Sequence, residues 1–295
     1  MTILLRLLAR LPLSWLHAAG TALGWAIYLL SPRYAARTRE NLLNCGLWES
    51  ESEYETLLSR SVAESGKAAL EVIAVWFRPL EEARKLVRCD MPLWAIENAE
   101  ALGKGVIYLT PHLGCFEATG PWLSARGPLT ALYRPPKIAA LQPYIKAGRA
   151  RGALTLAPAN LGGVRLLLKA LKRGESIIIL PDQAPGAGEG AWAEFFGRQA
   201  YTMTLVGRLV EATGAPVVMI AAQRLAGSAG YSIHLENIVA SLQGEAGPRN
   251  LNAAVENFVR RMPEQYFWSY NRYKVPAGVT PPSANGLNDD THIHA

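Results

Sequence analysis

The sequence predicts an α/β fold: a mostly parallel central sheet covered by helices, behind a helical N-terminal region and a membrane-associated N-terminal helix. Three observations carry this. Leu11–Leu30 holds no Asp, Glu, Lys or Arg. Residues 33–104 read as helical, with Ser50–Phe77 as one long periodic stretch. From Gly105 onward short apolar runs alternate with amphipathic segments, the pattern of strands joined by covering helices.

The N-terminal segment comes first. A 20-residue helix at 1.5 Å per residue is roughly 30 Å long, about one hydrocarbon core. Arg6 and Arg10 precede it, Arg33, Arg37 and Arg39 follow it, and Trp15, Trp25 and Tyr28 suit an interface. No A-x-A cleavage site follows a short apolar core, so a cleaved signal peptide is not expected. Crossing the bilayer and lying in its surface are both compatible with Pro12, Ser14 and His17 inside the segment. Gly20 and Gly24 form a G-x-x-x-G, read as a site of local close packing. The expected division is an anchor helix over 1–31, an α/β domain over 32–278 and a disordered tail over 279–295, where little could build a core.

In the α/β part the expected strands are Val106–Leu109, Thr130–Tyr133, Leu154–Leu156, Ser176–Leu180, Val217–Ala222 and Tyr231–Leu235. The expected helices are Phe116–Arg126, Ile138–Arg151, Leu161–Arg173, Thr202–Thr213 and Arg249–Met262. Ser176–Leu180 is a continuous apolar run, as for a strand buried on both faces. Pro185–Gly190 reads as a loop.

Composition narrows function. Half of the residues are hydrophobic and 18% are charged, with a net charge of +6 and eight Trp. A basic, apolar chain points to anionic membrane surfaces or acidic partners; no basic block interleaved with aromatics argues for nucleic acid. Three widely spaced cysteines, Cys45, Cys89 and Cys115, form no C-x-x-C, so neither a disulfide framework nor a zinc site is indicated. There is no G-x-S-x-G, Walker A, H-E-x-x-H or dinucleotide fingerprint. No metal or organic cofactor is implied.

The candidate chemistry lies at expected strand ends, where open α/β sheets bind ligands. His112 follows the first strand, Arg134 the second, and Asp182 follows Ser176–Leu180. Of five histidines, His112 alone falls where a sheet would place a base; His17 is in the apolar helix, His234 in a strand, and His292 and His294 in the tail. Glu117 completes an H-x4-E pattern. A neutral imidazole can take a hydroxyl proton, and a carboxylate can orient the ring. On a helix, positions i and i+5 lie roughly 140° apart, so the pair meets only if His112 sits on the turn before the helix, with Thr110 and Pro111 at that boundary. Arg134 has a second reading as a surface ion pair and Asp182 as a loop cap. Cys115 is either a thiol nucleophile or a buried small side chain, and the second fits its type better.

The blocks HLGCFE (His112–Glu117), LPDQ (Leu180–Gln183), WAEFFGRQAYTMT (Trp192–Thr204) and PEQYFWSYNRYK (Pro263–Lys274) together resemble the late acyltransferases of lipid A biosynthesis, the lauroyl/myristoyl transferase family within the wider H-x4-D/E glycerolipid acyltransferases. The resemblance runs from the N-terminal helix to about Lys274. It implies an enzyme of the bacterial inner membrane, at its cytoplasmic face, that moves a fatty acyl chain from an acyl carrier protein thioester to a hydroxyl of a phosphorylated lipid A precursor. His112 would be the base and Glu117 its partner. Gly114 and Cys115 would offer backbone N–H groups to the oxyanion. Arg134, Arg165 and Asp182 would meet substrate, Arg134 through a sugar phosphate. A thioesterase using the same dyad on water, transfer to another lipid acceptor, and a non-catalytic membrane scaffold are the alternatives. The Gly-rich PGAGEGAWAE stretch departs from the more aromatic loop of enterobacterial members and leaves acyl length and acceptor position open.

Overall fold

The computed structural model describes residues 2–136 and 138–282. Helices α1 (Thr2–Ala9), α2 (Leu13–Leu30) and α3 (Pro32–Leu43) are separated by Pro12 and by the Ser31–Pro32 step, and Pro32 occupies the first turn of α3. In α4 (Glu51–Phe77) the Ser50 hydroxyl accepts from Glu53 N at 3.3 Å, and the Glu53 carboxylate reaches back to Glu49 N at 2.8 Å. Two amide donors at the helix start are satisfied reciprocally, much as in a capping box. Pro79 stops the helix. There follow α5 (Leu80–Lys85), β1 (Val87–Arg88), α6 (Trp94–Ala101), β2 (Ile107–Leu109), α7 (Phe116–Leu123), β3 (Leu129–Tyr133), α8 (Gln142–Arg149), β4 (Leu154–Pro158) and α9 (Leu161–Lys172), the last capped by Asn160. The chain continues through β5 (Ser176–Ile179), β6 (Gly190–Phe195), β7 (Arg198–Met203), α10 (Leu205–Thr213), β8 (Val217–Arg224), β9 (Tyr231–Asn237) and α11 (Gly247–Arg261).

Seven strands form one sheet in the order β1-β9-β8-β2-β5-β3-β4, parallel throughout except for the β8–β9 pair. The mostly parallel sheet covered by helices is the predicted fold. Strand alternation decides what each face holds. Ile107, Leu109, Ile177 and Ile179 point into one core, with α3, α9, α10 and α11; Tyr108, Ile178, Val218 and Ile220 point into the other, with α6 and α7. Fully burying an aliphatic side chain of this size stabilises by about 1.5–3 kcal/mol.

Helix α2 does not stand apart from the domain. It packs along α4 through a seam of glycines. A Cβ on Gly24 would lie 2.3 Å from Val62 O, and one on Gly66 would lie 2.0 Å from Gly20 O. Only glycine lets these two backbones approach so closely. Apolar residues of both N-terminal helices stay open: Ile3, Leu4 and Leu7 of α1 and Trp15, Leu29 and Leu30 of α2 are exposed. Leu13–Leu30 is the one described helix long and apolar enough to cross a membrane by length and composition. The expected boundary at residue 31 therefore cuts through a packed interface.

Two local expectations differ from the structure. Ile138–Arg151 is a short 3-10 turn at Ala139–Leu141 followed by α8. The stretch ahead of α10 is not helix from Thr202: β6 and β7 form an antiparallel hairpin. Its two-residue turn, Phe196-Gly197, has both residues at positive φ, +46° and +71°, as a type I′ turn requires. Phe196 tolerates this because its ring is buried on Trp268 and its N–H is held by Glu256 at 3.0 Å. Of the expected tail over 279–295, residues 283–295, with His292 and His294, lie outside the described residues.

Candidate active site

Strands β2 and β5 are adjacent and parallel, with Leu109 opposite Ile179. His112 and Asp182 each come three residues later, so register alone sets them side by side at the carboxyl edge of the sheet. The Asp182 carboxylate accepts twice from His112: from its backbone N–H at 2.9 Å and from ring Nδ1 at 2.8 Å. Asp182 is 3% exposed. Burial alone would raise its pKa; the His112 ring and its hydrogen bonds outweigh this and hold the carboxyl below the usual carboxylate value. With a carboxylate on Nδ1, that nitrogen carries the proton and Nε2 presents its lone pair. Gln183 Nε2 lies 3.2 Å from that atom. The ring packs against Phe116, with centroids 4.8 Å apart.

The expected His112–Glu117 pair is corrected here. Glu117 sits in the first turn of α7, and its carboxylate receives Trp76 Nε1 at 3.0 Å and the Arg149 guanidinium through both Nε and Nη2. It makes no hydrogen bond to His112 among the described residues. The physical reason is that β2 and β5 run in register and bring Asp182 to Nδ1 directly, while α7 carries Glu117 on to meet α4 and α8. Arg149 closes the last turn of α8 and lies over the Trp76 and Tyr133 rings at 5.8 and 5.9 Å. Burial would lower its pKa, but the Glu117 carboxylate outweighs this and raises it. Gly148 permits the approach, since a Cβ there would lie 2.4 Å from the Trp76 ring. Sequence reasoning missed Arg149 and Trp76. No spacing links them to Glu117; the glycine before Arg149 was the only available signal.

The expected oxyanion donors are also corrected. Gly114 N donates to Gln265 O at 3.0 Å, and Cys115 N to Ala222 O at 2.8 Å. Both amides bind the chain to β8 and to the segment after α11. Gly114 has φ +60°, and a Cβ there would lie 2.1 Å from Ala222 O. Cys115 is buried, and burial pushes its thiol well above the ordinary value, which agrees with the reading as a packed side chain rather than a nucleophile. Arg134 directly follows β3, at the carboxyl edge of the sheet, and Arg165 lies in α9; both are exposed, and neither makes an ion pair or side-chain hydrogen bond among the described residues.

Beside Glu117 and Arg149 an apolar cavity of about 50 Å³ opens between the sheet and α7, lined by Phe116, Leu132, Leu156, Ile178 and Leu180. Behind the site lies a buried ionic cluster. Arg224 pairs with Glu71, Nε to Oε2 at 2.7 Å, and with Glu64; His17 of α2 reaches Glu71 at 3.2 Å and Ser228 at 2.9 Å. Burial of Glu71 would raise its pKa, yet Arg224 and His17 hold it down at about 2. The cluster ties the N-terminal helix to the end of β8, and the Gln265 side chain clamps Arg224 by its backbone N–H and C=O at 2.7 and 2.9 Å.

The family described as bacterial lipid A biosynthesis acyltransferase matches residues 1–275. The chain is 27% identical over 279 residues to a lipid A biosynthesis palmitoleoyltransferase of Escherichia coli (strain K12), covering 91% of this chain and 88% of that protein. It is 26% identical over 283 residues to a lipid A biosynthesis lauroyltransferase of the same organism, covering 92% and 90%. A lipid A biosynthesis acyltransferase of Haemophilus influenzae is 26% identical over 234 residues, covering 79% and 73%. With the match running from the N-terminal helix through the segment that packs on His112, the chain belongs to the bacterial lipid A biosynthesis acyltransferase family.

Proposed function

We propose that this protein transfers a fatty acyl chain from an acyl carrier protein thioester to a hydroxyl of a lipid A precursor, with the His112–Asp182 pair as general base. The observation that carries the reading is the hydrogen bond from His112 Nδ1 to buried Asp182, which leaves the Nε2 lone pair facing the half-buried Gln183 side chain; Phe116, which packs on the ring, also lines the apolar cavity. An acceptor hydroxyl is far too weak an acid to ionise near neutral pH, so a base must take its proton as the new bond forms. The thiol of a thioester leaves readily, so direct attack needs no covalent enzyme intermediate. The cavity lining suits the start of an acyl chain. Glu117 serves by fixing Arg149 as one wall of the site.

Arg134, exposed at the carboxyl edge, and the exposed Arg165 of α9 suit the phosphates of the acceptor or the acidic surface of the carrier. The open apolar residues of α1 and α2, with Arg6, Arg10, Arg33 and Arg37 nearby in sequence, favour contact with an anionic bilayer, in the reading of the inner membrane's cytoplasmic face. His112→Ala tests the assignment: acyl transfer should fall at least ~100-fold with the fold retained. Near-normal transfer by that variant would remove His112 as the base. Thioester cleavage that proceeds equally well without a lipid hydroxyl would make the enzyme a hydrolase instead.

A further inference from the structure

The proposed acyl transfer needs a donor for the charge that builds on the acyl carbonyl oxygen, and the backbone around His112 does not offer the expected one. The amides of four successive residues are spent inside the protein. His112 N is held by Asp182 at 2.9 Å. Leu113 N is held by Pro111 O at 2.7 Å, Gly114 N by Gln265 O at 3.0 Å and Cys115 N by Ala222 O at 2.8 Å. Releasing Gly114 or Cys115 would break the bridges that hold this loop to Tyr266 and Ala222.

Gln183 stands apart from them. Its side-chain nitrogen lies 3.2 Å from His112 Nε2. Because the carboxylate on Nδ1 makes Nε2 the lone-pair atom, the group facing Nε2 is the amide NH₂ and not its oxygen. The backbone fixes this placement from both sides. Asp182, one residue earlier, is bound to the His112 ring and backbone, and Ala184, one residue later, donates to the Tyr270 hydroxyl at 3.1 Å. Gln183 is only half-buried, so substrate can reach it.

We propose that the Gln183 side-chain amide is a catalytic residue with two successive duties: it covers the lone pair of the base before the acceptor arrives, and then donates to the oxyanion of the tetrahedral intermediate. The inference rests on the reading of His112 as the base. The acceptor hydroxyl displaces the amide from Nε2 and forms its own hydrogen bond there. Its oxygen bonds to the acyl carbon, its proton passes to Nε2, and the carbonyl π pair moves onto oxygen. That oxygen and the attacking oxygen share one carbon, so a donor able to reach the lone pair of the base is one substituent away from the new charge. An amide carries two N–H groups, so Gln183 can serve this oxygen while staying near the ring. Collapse restores the carbonyl and breaks the C–S bond, and the thiolate leaves with the proton held by His112.

The test uses the full chain, a carrier-protein thioester and a phosphorylated lipid A precursor, with Gln183→Ala and the near-isosteric Gln183→Glu, which replaces a donor by an acceptor. Removing one oxyanion donor lowers kcat by roughly 10²–10³-fold. Both variants are expected to lose kcat on that scale with KM and thermal midpoint unchanged, and Gln183→Asn, which keeps a donor on a shorter arm, should recover part of it. Turnover by Gln183→Ala equal to or above the parent would show that the amide merely obstructs the base, and would overturn the proposal. So would a loss that follows a lowered thermal midpoint in both variants. His112→Ala run alongside separates the two readings. An inactive His112→Ala beside a normal Gln183→Ala defeats only the role of Gln183, whereas an active His112→Ala defeats the base itself and the proposal with it.

Discussion

Asp182→Asn is the substitution that most directly separates the observed His112–Asp182 pair from the His112–Glu117 pair the sequence suggested. Asp182 accepts two hydrogen bonds from one residue, at 2.9 Å from the His112 backbone N–H and at 2.8 Å from Nδ1. Asn has one acceptor oxygen. If that oxygen stays on the backbone N–H, which cannot turn round, the NH₂ group faces Nδ1. Nδ1 must then present its lone pair, and the ring proton moves to Nε2, where the base is needed. Loss of a positioned general base costs roughly 10²–10⁴ in rate, which is about 2.7–5.4 kcal/mol on the barrier. The same wrong-tautomer change in a serine protease triad costs about 10⁴. Glu117→Gln leaves the His112 tautomer alone and weakens the hold on Arg149, so its effect on kcat should be the smaller. Steady-state transfer from a thioester donor to a lipid acceptor, with a thermal midpoint for each variant, measures both. If Asp182→Asn keeps more than a tenth of the parent kcat while Glu117→Gln loses a hundredfold, the assignment of Asp182 as the orienting carboxylate is wrong.

Other outcomes follow from the same structure. Glu71→Gln leaves Arg224 buried with a weakened partner, and breaking a buried pair typically costs about 3–5 kcal/mol at neutral pH. Glu71 is held at about 2 in the folded protein, below its unfolded value, so its contribution is present above the usual glutamate range and fades as pH falls toward 2. Denaturant unfolding at pH 7 and pH 3 should show the gap between parent and variant narrowing at the lower pH. Gly66→Ala puts a Cβ 2.0 Å from Gly20 O, so α2 and α4 must separate, at about 1–3 kcal/mol, read as a lowered thermal midpoint. Ile3, Leu4 and Leu7 changed together to Ser should weaken flotation with anionic liposomes and leave the thermal midpoint in place; equal flotation would remove α1 as a lipid contact. Arg134→Ala should raise KM more for a phosphorylated acceptor than for a dephosphorylated one, an effect that shrinks with added salt; equal changes would count against phosphate recognition.

What the sequence determined by itself is the class of fold and the sheet edge that carries the candidate residues. Continuous apolar runs such as Ser176–Ile179 had to be strands buried on both faces, and the helices between them imposed parallel pairing. The strand-end rule then put His112 and Asp182 at one edge of one sheet, and recurring blocks placed the chain in its family. Partner choice was not legible. His112 and Glu117 are close in sequence, but His112 lies on the turn before α7, while Glu117 in its first turn is taken by Trp76 and Arg149. His112 and Asp182 are 70 residues apart, and only the pairing of β2 with β5 makes them neighbours. Arg149 and Trp76 reached Glu117 through the packing of α8 and α4 on α7, contacts with no local signature. The glycines of α2 were visible as a small-residue motif, but whether they faced lipid or another helix was decided by α4, which carries Gly66 at the point of closest approach. Short-range periodicity records which residues are buried; which buried residues meet depends on strand order and helix packing, and these arise only when the whole chain folds.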